Sequence, residues 1–341
     1  LVIVTRWLWR ERTLSARALR VALLPLAVLY RGVTTARTAA YRHGIVRRRR
    51  PALPSVAIGN LTVGGSGKTP LAQWIARQLA LRGLCPAIVL RGYGGDEGQE
   101  HREAVPSAIV IEDPDRHAAI RRARGAGANV AVLDDAFQRL DVLPELTMAV
   151  VSAEASGAVG WPLPAGPWRE PWQALGRADL VVATRKRAGR AGTAAVAARV
   201  RAIAPGLPVA RAVLSLTEFR GLVSDIPVPL TVAAGRRLRA VAGIADADSF
   251  AAQLRRLGAE VDLWGRADHA RYGEPQRDAL LQAAASHDYV VITAKDAVKL
   301  KNWWPADLRE PLVARLGLAW EDGADVVHAA LDQVAGLAAD P

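Results

Sequence analysis

The sequence predicts an α/β fold: a parallel sheet flanked by helices, followed by a smaller C-terminal α/β part and preceded by a membrane-associated helix. Three observations carry this. From residue 55 onward short β-branched runs alternate with helical patterns, the way strands joined by crossover helices read. The first of those strands runs into a glycine-rich turn that ends in Gly67-Lys68-Thr69. The first fifty residues are apolar and arginine-rich, with Glu11 as their one acid, and so differ from everything after them. At 341 residues the chain has room for three segments: 1–50 as an N-terminal helical segment, 51–206 as the phosphate-loop core, and 207–341 as the smaller α/β part contributing to the cleft.

Taken in order, the N-terminal segment has Trp7, Leu8 and Trp9 ahead of an uncharged stretch, residues 21–30, flanked by Arg20 and Arg31. Ten helical residues cover about 15 Å, half the hydrocarbon thickness, so this is not a simple transmembrane span. No small-residue cleavage site follows in a fitting place, so a removed signal peptide is not expected. Apolar length, tryptophans and arginines suit a helix lying in an anionic membrane surface; the other reading is a helix packed on the core. The core segment then offers strands at 56–59, 87–90, 108–111, 130–133, 148–151 and 180–183, with helices at 69–82, 115–125 and 192–203. Beyond Leu207-Pro208 the pattern changes, and Pro227 and Pro229 mark an irregular connection. A second set follows: strand 240–244, helix 247–257, strand 261–264, helix 275–286, strand 290–293, and a closing amphipathic helix at 326–337.

Composition narrows the chemistry. Half the residues are apolar (51%), which excludes a disordered chain. The net charge of +12 calls for an anionic partner: nucleic acid, anionic lipid or a phosphorylated substrate. A single cysteine, Cys85, excludes an internal disulfide and an all-cysteine metal site. The turn after the first strand is more specific. Gly64, Gly65 and Gly67 let backbone N–H groups curl around a phosphate, Ser66 sits among them, Lys68 reaches the terminal phosphates, and the Thr69 hydroxyl can ligate Mg²⁺. The helix that follows points its positive end at the same place. The strict Walker pattern has glycine where this chain has Thr62. With a strand before and a helix after, the turn predicts a P-loop NTPase-like nucleotide site.

The other polar constellations gain meaning from that one. The strand 130–133 ends in Asp134-Asp135, where a phosphate-loop enzyme keeps the acid that holds Mg²⁺. If the strand persists the two carboxylates face opposite ways and do not share one role. Arg91-Gly92-Tyr93-Gly94-Gly95-Asp96-Glu97 leaves the carboxyl end of the second strand, where ligands of open parallel sheets bind. Arg91 can clamp an anion, and Asp96 or Glu97 can accept a proton from an attacking hydroxyl. The proline-fenced run 163–171 reads equally as a structural corner and as a substrate contact. Asp268-His269 sits in a polar loop, and Thr293-Ala294-Lys295-Asp296 follows a strand with the look of a helix cap.

Together these blocks resemble the tetraacyldisaccharide 4′-kinases, the lipid A 4′-kinases of Gram-negative bacteria. The resemblance runs in order from the N-terminal apolar segment to about residue 300, through residues 59–70, Arg91-Gly92-Tyr93, Gly95-Asp96-Glu97, Asp134-Asp135, Leu163-Pro164-Ala165-Gly166-Pro167, Ala242-Gly243-Ile244, Asp268-His269 and Thr293-x-Lys295-Asp296-Ala297-Val298-Lys299. Two positions depart from the family: Arg139 and Ala270 stand where it usually has histidine. The resemblance implies transfer of the γ-phosphate of ATP, with Mg²⁺, to the 4′-hydroxyl of a tetraacylated glucosamine disaccharide 1-phosphate. It implies Lys68 on phosphate, Thr69, Asp134 and Asp135 on Mg²⁺, Asp96 as base with His269 as its partner, and Arg91, Tyr93 and Arg116 near substrate. The expected partners are the acylated disaccharide lipid and the inner-membrane surface on its cytoplasmic face, with no nucleic acid and a monomeric chain. The alternatives are a membrane-docked regulatory NTPase, against which the missing Asn-Lys-x-Asp counts, and an inactive relative.

Overall fold

Continuous apolar runs, rather than alternating ones, build the centre of this molecule. In the computed structural model, which describes residues 8–9, 13–92, 96–156, 160–244, 246–266 and 272–339, strands β1 (Ser55–Asn60), β2 (Pro86–Leu90) and β4 (Val130–Leu133) are buried at every position. Strands covered on both faces by helices need no polar side. With β3 (Ile109–Glu112), β5 (Leu146–Ser152), β6 (Leu180–Arg185) and the start of β7 (Val209–Gly221) they form a parallel half-sheet. Helix α3 (Lys68–Leu81) follows β1 and sets Leu71, Ile75 and Leu79 into its core. Helix α5 (Arg116–Gly125) packs Ala119, Ile120 and Ala123 into a second cluster, and α7 (Arg190–Ile203) packs Val196 and Val200 into a third.

A second parallel set, β9 (Arg237–Ala242), β10 (Glu260–Gly265) and β11 (Tyr289–Thr293), is joined to the first by β12 (Leu312–Asp322). The described sheet has twelve strands in the order β10-β9-β11-β12-β7-β6-β5-β1-β4-β2-β3, and the two-residue β8 (Pro227–Val228) pairs with β7. The β7–β12 pair is antiparallel and long, from Leu312 opposite Gly221 to Asp322 opposite Arg211. Its geometry decides where the site is. The end of β6 lies beside Val213, and the end of β11 lies level with Phe219. The stretch of β7 between them spans roughly 20 Å. Because β7 and β12 run in opposite directions, the carboxyl ends of both half-sheets point into that gap.

Helices α8 (Ala247–Arg256) and α9 (Glu274–Ser286) cover the second set, and the chain closes with α11 (Ala324–Ala339), whose Val327, Leu331 and Val334 return to the core under α3. The strands and helices expected from sequence are present with ends shifted by a few residues. Two features differ from expectation. The β7–β12 ribbon is a regular element in stretches where the sequence names no strand, its half-exposed face carrying Arg211, Glu218 and Arg220; Pro227 and Pro229 fall on the short connection that follows β7. Asp96 and Glu97 open a helix, α4 (Asp96–Ala104), rather than lying in a loop.

The N-terminal segment forms α1 (Leu14–Ala22) and α2 (Leu24–Arg42), bent by 48° at the break. No single described helix is long and apolar enough to cross a membrane. Of the pair, Ala16 and Ala27 are buried, while Leu14, Val21, Leu26, Val28, Leu29 and Val33 stand more than half exposed.

Candidate active site

Backbone geometry makes the turn between β1 and α3 a cradle. Gly64 (φ 119°) and Gly67 (φ 97°) lie in the left-handed region. A Cβ at Gly67 would also collide with Leu214 Cδ1 of the ribbon, so only glycine fits there. Thr62 is not among the described residues with positive φ, so this loop needs no glycine at that Walker position. It bridges instead to Trp168. The Val63 N–H donates to Pro167 O (2.8 Å) and the Arg169 N–H to Leu61 O (2.8 Å). The proline-fenced run is thus the prop of the loop, and it delivers Arg169 to the site. Asn60 Nδ2 donates to Ser66 Oγ (2.8 Å), Thr184 Oγ1 to Ser66 O (2.7 Å), and Lys186 Nζ to Gly65 O (2.8 Å). Lys68 and Thr69 open α3, where N–H groups lack intrahelical acceptors and the dipole favours an anion.

The paired aspartates part company here. The strand ends at Leu133, and Asp135 takes φ 51°. So it is a left-handed turn, not the alternation of a strand, that separates the carboxylates. Asp134 is buried beside the cradle, with Thr69 Oγ1 donating to its Oδ2 (3.4 Å). His101 Nε2 lies 3.1 Å from the same oxygen, while Asp134 Oδ1 accepts from the Asp135 N–H (2.8 Å). Burial disfavours the His101 imidazolium, but the bond and charge of Asp134, then Glu100 and Glu97, outweigh it, so its pKa is raised. Arg116 Nη2 donates to Asp134 O (3.2 Å) and Nη1 to Asp113 O (2.8 Å). Burial, then repulsion from Arg139, brings that guanidinium down to about 10. Asp135 faces Lys68 (3.4 Å) and Arg169 (3.0 Å). Burial pushes its carboxyl up, and Lys68 followed by Arg169 pulls it further down, for a net lowering.

Helix α4 spans the gap. Asp96 is buried, 3.1 Å from Lys299 Nζ, and Glu97 lies 3.6 Å from Lys295 Nζ. Both lysines stand on α10 (Ala294–Leu300) of the second half. That helix is aimed by Asp296, which accepts from Thr293 Oγ1 (2.6 Å), Tyr272 OH (2.8 Å) and the Gly243 N–H (2.9 Å). The blocks at 242–244 and 293–299 are thereby one structural unit. The cleft between the halves holds about 1620 Å³. The cradle, Arg91, Glu97 and Arg169 line it from one side, Asp246, Phe250 and Lys295 from the other. Asp268, His269 and Tyr93 lie outside the described residues.

The N-terminal segment sits at the mouth of this cleft. Trp9 lines it and donates from Nε1 to Pro164 O (3.0 Å), and Arg37 Nη2 donates to Gln138 O (3.1 Å). Tyr30 is close enough to Arg169 and Glu170 to feel their charges.

The structure thus brings Lys68, Thr69, Asp134, Asp135, Arg116 and Arg91 to one cleft, with Asp96 and Glu97 at its edge. Sequence reasoning missed Arg169, Lys186 and His101. Arg169 carried a signal, the rigid turn that presents it; the other two carry none without the fold. Among the described residues, no group of three or more His, Cys, Asp and Glu is gathered as a metal cage. The hard oxygens of Thr69 and Asp134 fit an ion that takes the rest of its shell from phosphate and water, as Mg²⁺ does.

Comparison with known proteins gives a consistent answer. The family model described as tetraacyldisaccharide-1-P 4′-kinase (LpxK) matches residues 19–107 and 95–335. A tetraacyldisaccharide 4′-kinase of Geobacter metallireducens is 36% identical over 333 residues, covering 88% of this chain and 93% of that protein. One from Anaeromyxobacter sp. (strain K) is 36% identical over 363 residues, covering 98% and 95%. The crystal structure of "apo" form LpxK from Aquifex aeolicus in complex with ATP superposes with a TM-score of 0.72 at 23% identity, covering 93% of this chain and 99% of that one, a likeness of fold.

Proposed function

The chain belongs to the tetraacyldisaccharide-1-P 4′-kinase family and is an ATP-dependent lipid A 4′-kinase; we propose that the cleft between its half-sheets performs the transfer with Mg²⁺ at a membrane surface. The observation that carries this reading is the clustering of Lys68, Asp135 and Arg169 beside Thr69 and Asp134 at the start of α3, in a cleft walled by both halves. Phosphoryl transfer asks for positioning and charge neutralisation more than covalent chemistry. The N–H groups of residues 64–69 hold the triphosphate. Lys68, pre-aligned by Asp135, and Arg169 neutralise the γ-phosphate as it leaves. Thr69 and Asp134 would hold Mg²⁺, assisted by Asp135, and the ion would offset phosphate charge. Arg116 fixes the Asp134 backbone, and Arg91 and Tyr93 meet the sugar or its phosphate.

The 4′-hydroxyl gives its proton to Asp96, with His269 as partner, as its oxygen bonds to phosphorus and ADP departs. Lys299 pairs with Asp96 from the opposite wall, at 3.1 Å. The exposed apolar faces of α1 and α2, arginine-flanked and attached beside Pro164 and Gln138, lie in the anionic surface of the inner membrane on its cytoplasmic side, where they bring the cleft to its lipid. Both walls of the cleft come from one chain, so a monomer suffices. The regulatory-NTPase and inactive-relative alternatives are not favoured. The test is incubation with ATP, Mg²⁺ and a tetraacylated disaccharide 1-phosphate. The expected result is a mass gain of one phosphate on the lipid; ATP hydrolysis without that gain refutes the proposal.

A further inference from the structure

Helix α4 brings one more group to the phosphate cradle. His101 is wholly enclosed, at 0% exposure, and its Nε2 lies 3.1 Å from Asp134 Oδ2. Its Nδ1 is buried and has no hydrogen-bond partner among the described residues. Enclosing an imidazole while serving one nitrogen is unfavourable, and a leucine would fill the space without that cost. The nitrogen that is served touches the same carboxylate oxygen that accepts from Thr69 Oγ1. Asp134 is otherwise held by its other oxygen, on the Asp135 N–H, and by its backbone, whose N–H donates to Val89 O (3.0 Å) and whose carbonyl accepts from Arg116. Without His101, the carboxylate keeps freedom to rotate about that single N–H contact and swing Oδ2 away from Thr69. Losing an outer group that fixes a ligand's orientation typically costs a metal site about 10–100-fold in affinity.

We propose that His101 is a positioning residue that locks the Asp134 carboxylate with Oδ2 toward Thr69, so that the two oxygens are preset for the divalent cation. The proposal rests on the assignment of Mg²⁺ to Thr69 and Asp134. It also gives α4 a double duty. Its first turn is held by Lys295 and Lys299 from across the cleft, and its second turn sets the cation ligand. Docking of the second half and readiness of the metal site thereby depend on the same helix.

The experiment measures Mn²⁺ binding by electron paramagnetic resonance on the full chain, with a non-hydrolysable ATP analogue. Nucleotide affinity in EDTA and the melting temperature are read alongside. His101→Leu is expected to weaken Mn²⁺ about tenfold or more, with metal-free nucleotide affinity within about twofold of wild type. His101→Gln places an amide N–H near the Nε2 position and is expected to restore most of the affinity. His101→Asn is as polar but one methylene short, and is expected to behave like His101→Leu. If His101→Leu fails to fold, the Gln and Asn pair decides the matter, since they differ in reach and not in polarity. Equal Mn²⁺ affinity in wild type and His101→Leu, or in the Gln and Asn variants, overturns the inference. Asp134→Asn is the control on its premise. If Asp134→Asn loses Mn²⁺ while the His101 variants do not, the positioning role alone fails. If Asp134→Asn binds Mn²⁺ undiminished, the metal assignment itself fails and takes the inference with it.

Discussion

Glu154→Gln tests how the cradle is held from below. Glu154 stands just after β5, on the one-turn helix α6 (Ala153–Ser156). Its Oε1 accepts from the N–H groups of Lys186, Arg187 and Ala188 (2.7, 2.8 and 3.0 Å), and its Oε2 from Ser152 Oγ (2.7 Å). Burial works against the charge, but those donors overcome it and bring the carboxyl from its ordinary 4.5 to about 2. At about 1.4 kcal/mol for each pH unit between the two values, the ionised group contributes up to about 3 kcal/mol at pH 7. The folded value is depressed, so this stability is fully present well above 4.5 and fades as pH falls toward 2. More than half is gone by about pH 3. The same backbone stretch carries Lys186, whose Nζ donates to Gly65 O in the cradle. Urea unfolding of wild type and Glu154→Gln at pH 7 and pH 3 is therefore expected to show a gap of about 2–3 kcal/mol that at least halves at the lower pH. A KM for ATP raised several-fold with kcat changed less should accompany it. An equal gap at both values refutes the electrostatic account, and an unchanged KM refutes the link from this loop to the cradle.

Four other perturbations test the remaining parts. Lys68→Ala should lower kcat about 10²–10³-fold while the melting temperature holds, because the residue neutralises phosphate and carries little packing; a folded variant at full activity removes it from the mechanism. Asp96→Asn should lower kcat about 10²–10⁴-fold with little change in ATP affinity. If Glu97→Gln is the crippled variant instead, the base is the neighbour that lines the cleft. Gly67→Ala, with φ 97° and Leu214 in the way, should cost about 2–3 kcal/mol in urea unfolding and weaken ATP binding; a neutral effect on both contradicts the cradle geometry. Leu29→Glu with Val33→Glu, on the exposed face of α2, should abolish flotation with anionic vesicles and leave ATP affinity intact, and undiminished flotation argues against the surface-lying helix.

The first half of this molecule was legible because its chemistry is local. Residues 56–59 and 130–133 are apolar throughout, as doubly covered strands tend to be. The turn between β1 and α3 advertises its phosphate site through glycines whose φ angles demand them. What stayed hidden depends on the ribbon. Nothing near Glu97 or Asp96 announces Lys295 and Lys299, because those pairs exist only after β7 and β12 carry the second half back over the first. The ribbon itself hid behind its own alternation, with Ala210, Ala212 and Leu214 inward and charged residues on the other face. Its register is set by more than alternation, since the pairing shifts between Arg315 and Leu316, in the stretch that crosses the gap. A bulge there re-aims every side chain beyond it. The extra residue is Thr217 of β7, which is skipped in the pairing with β12; without it β7 would turn Phe219 away from the face that buries Leu214 and out of its cluster with Leu238 and Ala240. One strand thus keeps Leu214 against Gly67 of the cradle and Phe219 in the core of the opposite half, and it is the bulge between them, remote in sequence from the loop, that lets β7 serve both halves with one buried face.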